Sequence, residues 1–294
     1  MKKILHCTIL LLLFGATQPC VFAQRDGSVF RVEARLVEVY ATVFDRHGHY
    51  VDGLLSDAFR LSENGQPEVI KNFESDSQAI SCAILLDTTG SMGSALPHLK
   101  NSVVSFIDEL GPDDSVAIYT FAQQLVIQQD FTKDRAAAKR AALGLRAGGR
   151  TALFDALSEA AEEMNAQQGK KALIVFTDGN DNASVLTAQE AVNRARNNGV
   201  PLFTIAEGDA TQNSQFKKIL AELSESTGGS TFEVQDPKEM KSVFLQISAE
   251  LRHMYLLTYK PPRAPADGKW RKIDVTVPSV EGARIRAKEG YFPN

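Results

Sequence analysis

From residue 77 to residue 252 the chain alternates short apolar runs with stretches of helical periodicity, and this limits the fold more than any other feature. Ala79–Leu86, Ser115–Phe121, Lys171–Thr177, Pro201–Ala206 and Ser230–Val234 read as strands. Leu96–Leu110, Lys133–Leu145, Ala152–Gln167, Thr187–Asn197, Ser214–Ser226 and Pro237–Met254 read as helices. Strands that take turns with helices build a mostly parallel sheet covered on both faces. Leu125–Phe131 follows Phe121 after a tight connection and is expected as an antiparallel edge strand. The expected class is α/β, a doubly wound, Rossmann-like sheet. Gly199 and Gly228-Gly229 stand where helices should stop.

Open sheets of this class bind ligands beyond the carboxyl ends of their strands. Residues 83–91 read Ala-Ile-Leu-Leu-Asp-Thr-Thr-Gly-Ser, so a buried strand ends in Asp87, with Thr89 and Ser91 at alternate positions after it. Residues 148–157 read Gly-Gly-Arg-Thr-Ala-Leu-Phe-Asp-Ala-Leu, a glycine loop with Thr151 at the mouth of a helix. Residues 171–179 form a second apolar strand that ends in Asp178. Every donor is a hard oxygen, which suits Mg²⁺, Mn²⁺ or Ca²⁺ rather than zinc. Turn and N-cap chemistry accounts for Asp-Thr-Thr-Gly-Ser taken alone. It accounts poorly for oxygen donors at the ends of all these segments together.

These residues resemble the metal-ion-dependent adhesion site of the von Willebrand factor A domain. That pattern is Asp-x-Ser-x-Ser, a distant Thr in a glycine loop and a distant Asp in a Thr-Asp-Gly turn. Asp87, Thr89, Ser91, Thr151 and Asp178 match it, with Thr89 where Ser is commoner. The resemblance covers about residues 77–252, and a likeness to the secreted bacterial members extends into both flanks. It implies a bound Mg²⁺, with Mn²⁺ or Ca²⁺ as substitutes, held directly by the hydroxyls and largely through water by the aspartates. It further implies an open position on the metal that an Asp or Glu carboxylate of a partner protein fills. The function so implied is a metal-dependent protein-binding or adhesion module, not an enzyme. In some members of the resembled family, filling that position slides the last helix along its axis.

Two other readings stay in view. The first is an interaction scaffold in which the metal only stabilises the fold. The second is a metal-dependent phosphatase, because Asp87-Thr88-Thr89 is similar to the nucleophile loop of the haloacid dehalogenase-like enzymes. Those need a second Asp where Thr89 stands, which leaves no general acid. No P-loop run and no Gly-x-Gly-x-x-Gly after a strand is present. Gly179-Asn180-Asp181-Asn182 lacks the terminal Glu of a calcium loop and reads as support for Asp178. His47, His49, His98 and His253 are scattered, and Trp270 reads as a packed strand-edge residue.

The flanks read as β. On the N-terminal side, residues 24–76 hold an alternating run over Phe30–Val43. They also hold a hairpin in which Asn64-Gly65 turns Phe59–Ser62 into Val69–Phe73. On the C-terminal side, residues 253–294 hold strands from Tyr255, from Lys272 and from Arg284. Neither flank has many strands for a stable sheet of its own. The two are therefore expected to pair into one small β module around the α/β domain at 77–252.

Residues 1–23 read as an export signal: Lys2 and Lys3, then the apolar Ile9–Phe14, then Val21-Phe22-Ala23. Ala16-Thr17-Gln18-Pro19-Cys20 lacks the context for lipidation. No other run is long enough to span a bilayer. The expected location is periplasmic or extracellular. Of the three cysteines, Cys7 and Cys20 leave with the signal, and Cys82 stays as a lone thiol in an apolar strand. The formal charge is −4, and loss of Lys2 and Lys3 makes it −6, which argues against nucleic acid as a partner. Mass spectrometry of the native protein should find Gln24 as its first residue. A mature chain that still carries Met1 would refute the leader.

Overall fold

The computed structural model describes residues 36–179, 181–262 and 267–293. The proposed leader and the first part of the alternating run at Phe30–Val43 lie outside these residues. The N-terminal strands are β1 (Val37–Phe44), β2 (Arg60–Glu63), β3 (Gln66–Glu68) and β4 (Ile70–Glu74). Next come β5 (Ile80–Asp87), α1 (Leu96–Glu109), β6 (Ser115–Phe121), β7 (Leu125–Thr132) and α2 (Arg135–Leu143). They are followed by α3 (Leu153–Glu163), β8 (Lys170–Thr177), α4 (Ala188–Asn198), β9 (Leu202–Glu207) and α5 (Ser214–Glu225). The chain continues through β10 (Thr231–Val234) and α6 (Met240–Arg252). It closes with β11 (Met254–Tyr259), β12 (Arg271–Thr276), β13 (Arg284–Ala287) and β14 (Gly290–Tyr291).

Among the described residues the central sheet has the order β10-β9-β8-β5-β6-β7. Its pairs are parallel except β6 with β7, the edge hairpin. The apolar run of β5 explains why it lies in the middle. Cys82, Ile84 and Leu86 pack toward α1, α2 and α6, while Ala83 and Leu85 pack toward α3, α4 and α5. A strand buried on both faces reads as a continuous apolar stretch rather than an alternating one. Cys82 is a free thiol with no exposure, and burial pushes its pKa up. After β5 the chain adds β6 and β7 on one side, then returns to add β8, β9 and β10 on the other. The strand order therefore reverses between β5 and β8, and a crevice opens at their carboxyl ends.

The flanks supply two further sheets, of order β13-β1-β11-β4 and β14-β12-β2-β3. Each mixes strands from before and after the α/β segment. They share a core that includes Val39, Val43, Phe59, Leu61, Leu257 and Ile273. The hairpin at Asn64-Gly65 forms as a two-residue turn, with positive φ at both positions (50° and 79°). Its return strand differs from the sequence reading. β3 stops after Glu68, Pro67 occupies this edge strand, and the chain crosses at Val69 into β4, which pairs with β11 instead of β2. Propensity cannot show such a change of sheet, because both halves read equally as strand.

The module is tied to the α/β domain by polar contacts. Lys171 pairs with Glu38 at 3.2 Å, and the Tyr40 hydroxyl donates to the Gly169 carbonyl at 3.2 Å. Buried Lys170 donates from Nζ to the Asp76 carbonyl at 2.9 Å. Only His253 separates α6 from β11, two residues short of where the sequence pattern carried the helix. His253 stacks on Tyr50 at 4.0 Å between ring centroids and meets Asp52 at 2.7 Å. Trp270 packs edge-on against Phe292 at 5.1 Å.

Gly229, two residues before β10, makes the closest backbone approach of the described glycines. A Cβ there would lie 2.0 Å from the Leu202 carbonyl oxygen, so β9 would have to move. Gly229→Ala should cost about 3 kcal/mol in urea unfolding, the upper part of the range for overpacking. Gly93→Ala, where a Cβ meets nothing within 4 Å, is the control and should change little.

Candidate metal centre

The crevice brings the sequence candidates together from β5 and β8, which are neighbours. Asp87 ends β5 with no exposure. Its Oδ1 accepts from the Thr89 N–H at 2.9 Å and from the Thr89 hydroxyl at 2.7 Å. The hydroxyls of Thr89 and Ser91 lie 3.0 Å apart. Ser91 in turn donates to Asp178 Oδ1 at 3.1 Å. Four of the five candidates thus form one chain of oxygens. The short 3-10 turn Gly90–Gly93 has Thr89 at its cap position, yet the Thr89 side chain caps nothing. The capping explanation of this pentapeptide therefore fails for the residue best suited to it.

The proton count in this chain depends on whether both carboxylates are ionised. There are three oxygen–oxygen contacts, Asp87–Thr89, Thr89–Ser91 and Ser91–Asp178. With both carboxylates ionised, each hydroxyl supplies one proton, and each is directed at a carboxylate. The Thr89–Ser91 contact then sets lone pair against lone pair, whereas a proton on Asp178 would give all three contacts a donor. Burial pushes the Asp178 carboxyl up to about 6, and the nearby Asp87 charge adds to it. Burial raises Asp87 as well. Among the described residues no ion pair reaches either carboxylate. Lone pairs and carboxylates without a positive partner are the surroundings an oxygen-seeking cation fits. Among the described residues no cluster of three or more His, Cys, Asp or Glu is placed to hold a metal.

Thr151 enters from a separate loop. That loop is joined to the Asp87 loop by backbone bonds, Gly148 N–H to Thr88 O at 2.7 Å and Gly90 N–H to Gly149 O at 3.4 Å. Thr151 is buried at the mouth of α3, but the N-cap residue is Ala152, which has no side chain to cap with. Other residues fill that role. Asp181 Oδ2 accepts from the Phe154 N–H at 3.0 Å, and Ser184 Oγ accepts from the Asp155 N–H at 3.1 Å. The Thr151 hydroxyl is thereby released from capping. The loop after Asp178 was expected to brace Asp178. Instead Asn182 Oδ1 accepts from the Thr151 N–H at 3.2 Å, and the Thr151 carbonyl accepts from Asn182 and Ala183. Asn180 lies outside the described residues.

Sequence reasoning missed Thr177. Its hydroxyl lies 2.9 Å from Asp87 Oδ2, inside the core, and fixes the carboxylate from the neighbouring strand. Position 177 directly before Asp178 was visible, but the partner could not be named before β5 and β8 were known to be adjacent. Asp181 was missed as a cap for the same reason, since it lies beyond the helix it serves. Asp181→Ala should cost about 1–2 kcal/mol in urea unfolding, the range for loss of an N-cap.

The sequence profile of the von Willebrand factor type A domain matches residues 82–246, more than half of the chain. No curated protein sequence matches. Similar solved structures include the vWF domain of the type V pili tip protein Mfa5 from Porphyromonas gingivalis. It is 14% identical with a TM-score of 0.51, covering 59% of this chain and 95% of that one. A von Willebrand factor type A structure from Catenulispora acidiphila is 15% identical with a TM-score of 0.52, covering 89% and 74%. Proximal thread matrix protein 1 from the mussel byssus, with a zinc-occupied MIDAS motif, is 21% identical with a TM-score of 0.52, covering 63% and 49%. At these identities the likeness is one of fold. With the profile matching residues 82–246, the chain belongs to the von Willebrand factor type A domain family.

Proposed function

We propose that the chain is an exported, metal-dependent protein-binding module. The reading rests on the oxygen chain from Asp87 through Thr89 and Ser91 to Asp178, which has more contacts than protons when both carboxylates are ionised. Thr89, Ser91 and Thr151 would supply hydroxyl ligands, and Asp87 and Asp178 the compensating charge. Hard oxygens without His or Cys favour Mg²⁺ or Mn²⁺, with Ca²⁺ as a further candidate, over the zinc held by the byssus protein. A cation held mainly by neutral hydroxyls supplies an electrophilic position for an Asp or Glu carboxylate of a partner protein.

The chain's own residues set this up. Thr177 and the Thr89 N–H fix the Asp87 carboxylate, so its oxygens need not reorganise. Asn182 and Asp181 hold the Thr151 loop against the crevice. Ser91 is exposed while Asp87 is fully buried, so the site has an open side and a closed side. The open side favours ligand binding over a purely stabilising metal. Thr89, placed where a phosphatase would need its acid, donates to Asp87 and offers no second carboxyl, so the reading is non-enzymatic. Among the described residues no helix is long and apolar enough to cross a membrane. The limits proposed for the parts are 1–23 for the leader, 77–252 for the binding domain, and 24–76 with 253–294 for the β module.

Calorimetry with Mn²⁺ and Mg²⁺ tests the site. Asp87→Ala should abolish binding while circular dichroism stays at wild type, and Asp178→Ala should weaken it. Thr177→Val, which removes only the supporting hydroxyl, should raise the dissociation constant about 10- to 100-fold. Unchanged affinity in Asp87→Ala would refute the metal reading.

A further inference from the structure

We propose that His47 and His49 form a second cation site, on the β module and separate from the crevice, which takes Ni²⁺, Cu²⁺ or Zn²⁺ through two imidazole nitrogens. The proposal stands independently of the crevice reading. His47-Gly48-His49 lies in the loop between β1 and the point where Tyr50 bridges back to Phe44. The Asp45 N–H closes this loop on the His49 carbonyl at 2.9 Å, and the Gly48 N–H closes it on the Asp45 carbonyl at 3.1 Å. Gly48 has a φ of 86°, which a glycine adopts without strain. The Asp45 carboxylate fills the turn. Its Oδ1 accepts from the His47 N–H at 2.8 Å and from the His49 N–H at 2.9 Å. One carboxylate thus sets the backbone of both histidines, and their ring centroids lie 6.2 Å apart.

The hydrogen bonds also place the ring protons. His47 Nε2 accepts from Arg46 Nε at 3.1 Å. A guanidinium has donors only, so this ring nitrogen carries a lone pair. His49 Nδ1 faces Asp45 Oδ2 at 3.3 Å. An ionised carboxylate only accepts, so Nδ1 carries the proton, and in the neutral ring Nε2 keeps the lone pair. Both histidines therefore present Nε2 in the form that binds a metal. A carboxylate on the far nitrogen of an imidazole is the usual support of a metal-binding histidine, since it fixes the tautomer and makes the ring more basic. Arg46 is exposed, so its side chain can turn into water when a cation takes its place at His47.

The spacing suits one ion. With a metal about 2.0–2.1 Å from each nitrogen and a ring radius of about 1.1 Å, two imidazoles on one cation have centroids at most about 6.4 Å apart. The observed 6.2 Å lies inside that limit, and tetrahedral binding asks the two exposed rings to close by about 1 Å. Imidazole nitrogen suits Zn²⁺, Ni²⁺ and Cu²⁺, whereas Mg²⁺ and Ca²⁺ take oxygen, so the two sites of the chain differ in the metals they select. Among the described residues no third His, Cys, Asp or Glu joins the pair as a ligand, so water completes the coordination. The site lies one residue from Tyr50, whose ring stacks on His253 at the joint between α6 and β11.

The test is calorimetry of the untagged full chain with Ni²⁺, in excess Mg²⁺ to saturate sites built of hard oxygens. Wild type should bind one Ni²⁺, and should bind Cu²⁺ more tightly. His47→Gln and His49→Gln should each weaken Ni²⁺ binding about 100-fold. In Asp45→Asn the amide keeps an oxygen for the turn but donates to His49 Nδ1, which moves the ring proton to Nε2. That variant should bind about 10- to 100-fold more weakly, the usual loss when the carboxylate behind a ligand is removed. His98→Gln, on the exposed side of α1, should keep full affinity, and circular dichroism should be unchanged in all four variants. Absence of Ni²⁺ binding by wild type, or unchanged affinity in any of the three variants at positions 45, 47 and 49, overturns this inference. Neither result touches the crevice reading, which the Mg²⁺ and Mn²⁺ titrations of Asp87→Ala decide.

Discussion

The fold is arranged around a carboxylate that has no access to water. Asp87 ends a central strand that is buried on both faces, and a charge in that position is tolerated only if its lone pairs are occupied. Thr89 and Thr177 occupy them from the two segments that flank it, one from the following loop and one from the neighbouring strand. This requirement links the register of β5 and β8 to the shape of the crevice. A slip of one residue between these strands would place Phe176 or Asp178 where Thr177 now stands and leave one Asp87 oxygen without its donor.

The same crevice explains the distribution of polar residues in the loops above it. Capping of α3 is performed by residues from the β8–α4 loop, not by the residue at the helix mouth. This exchange ties α3, the Thr151 loop and the loop after Asp178 into one unit. The loops around the crevice are thus braced by their own hydrogen bonds.

Helix α6 is bound both within the α/β domain and to the β module. Phe244 and Ile247 have no exposure and Leu251 is almost fully buried. Glu250 accepts from Ser230 at 2.9 Å and from Arg286 of β13, while Arg252 donates to buried Asp114 at 2.6 Å. An axial shift of α6, the motion implied by resemblance to some members of the family, would have to break both ion pairs. His253 alone joins α6 to β11, so such a shift would also pull on the sheet formed by β1, β4, β11 and β13.

The sequence by itself determined the α/β class, the strand ends and the five oxygen residues. Each of these follows from local pattern: unbroken apolar runs for doubly buried strands, and a change to Asp, Thr and Ser where a strand leaves the core. Only the tertiary structure decided which strands are neighbours, and so which side chains finish each other's hydrogen bonds. Thr177 serving Asp87, Asp181 serving α3, and the crossing at Val69 from one β sheet to the other all depend on contacts between residues distant along the chain. Periodicity describes one segment at a time. The pairing of segments is set by burial and by the need to satisfy every buried polar group, and both become defined only once the whole chain has packed.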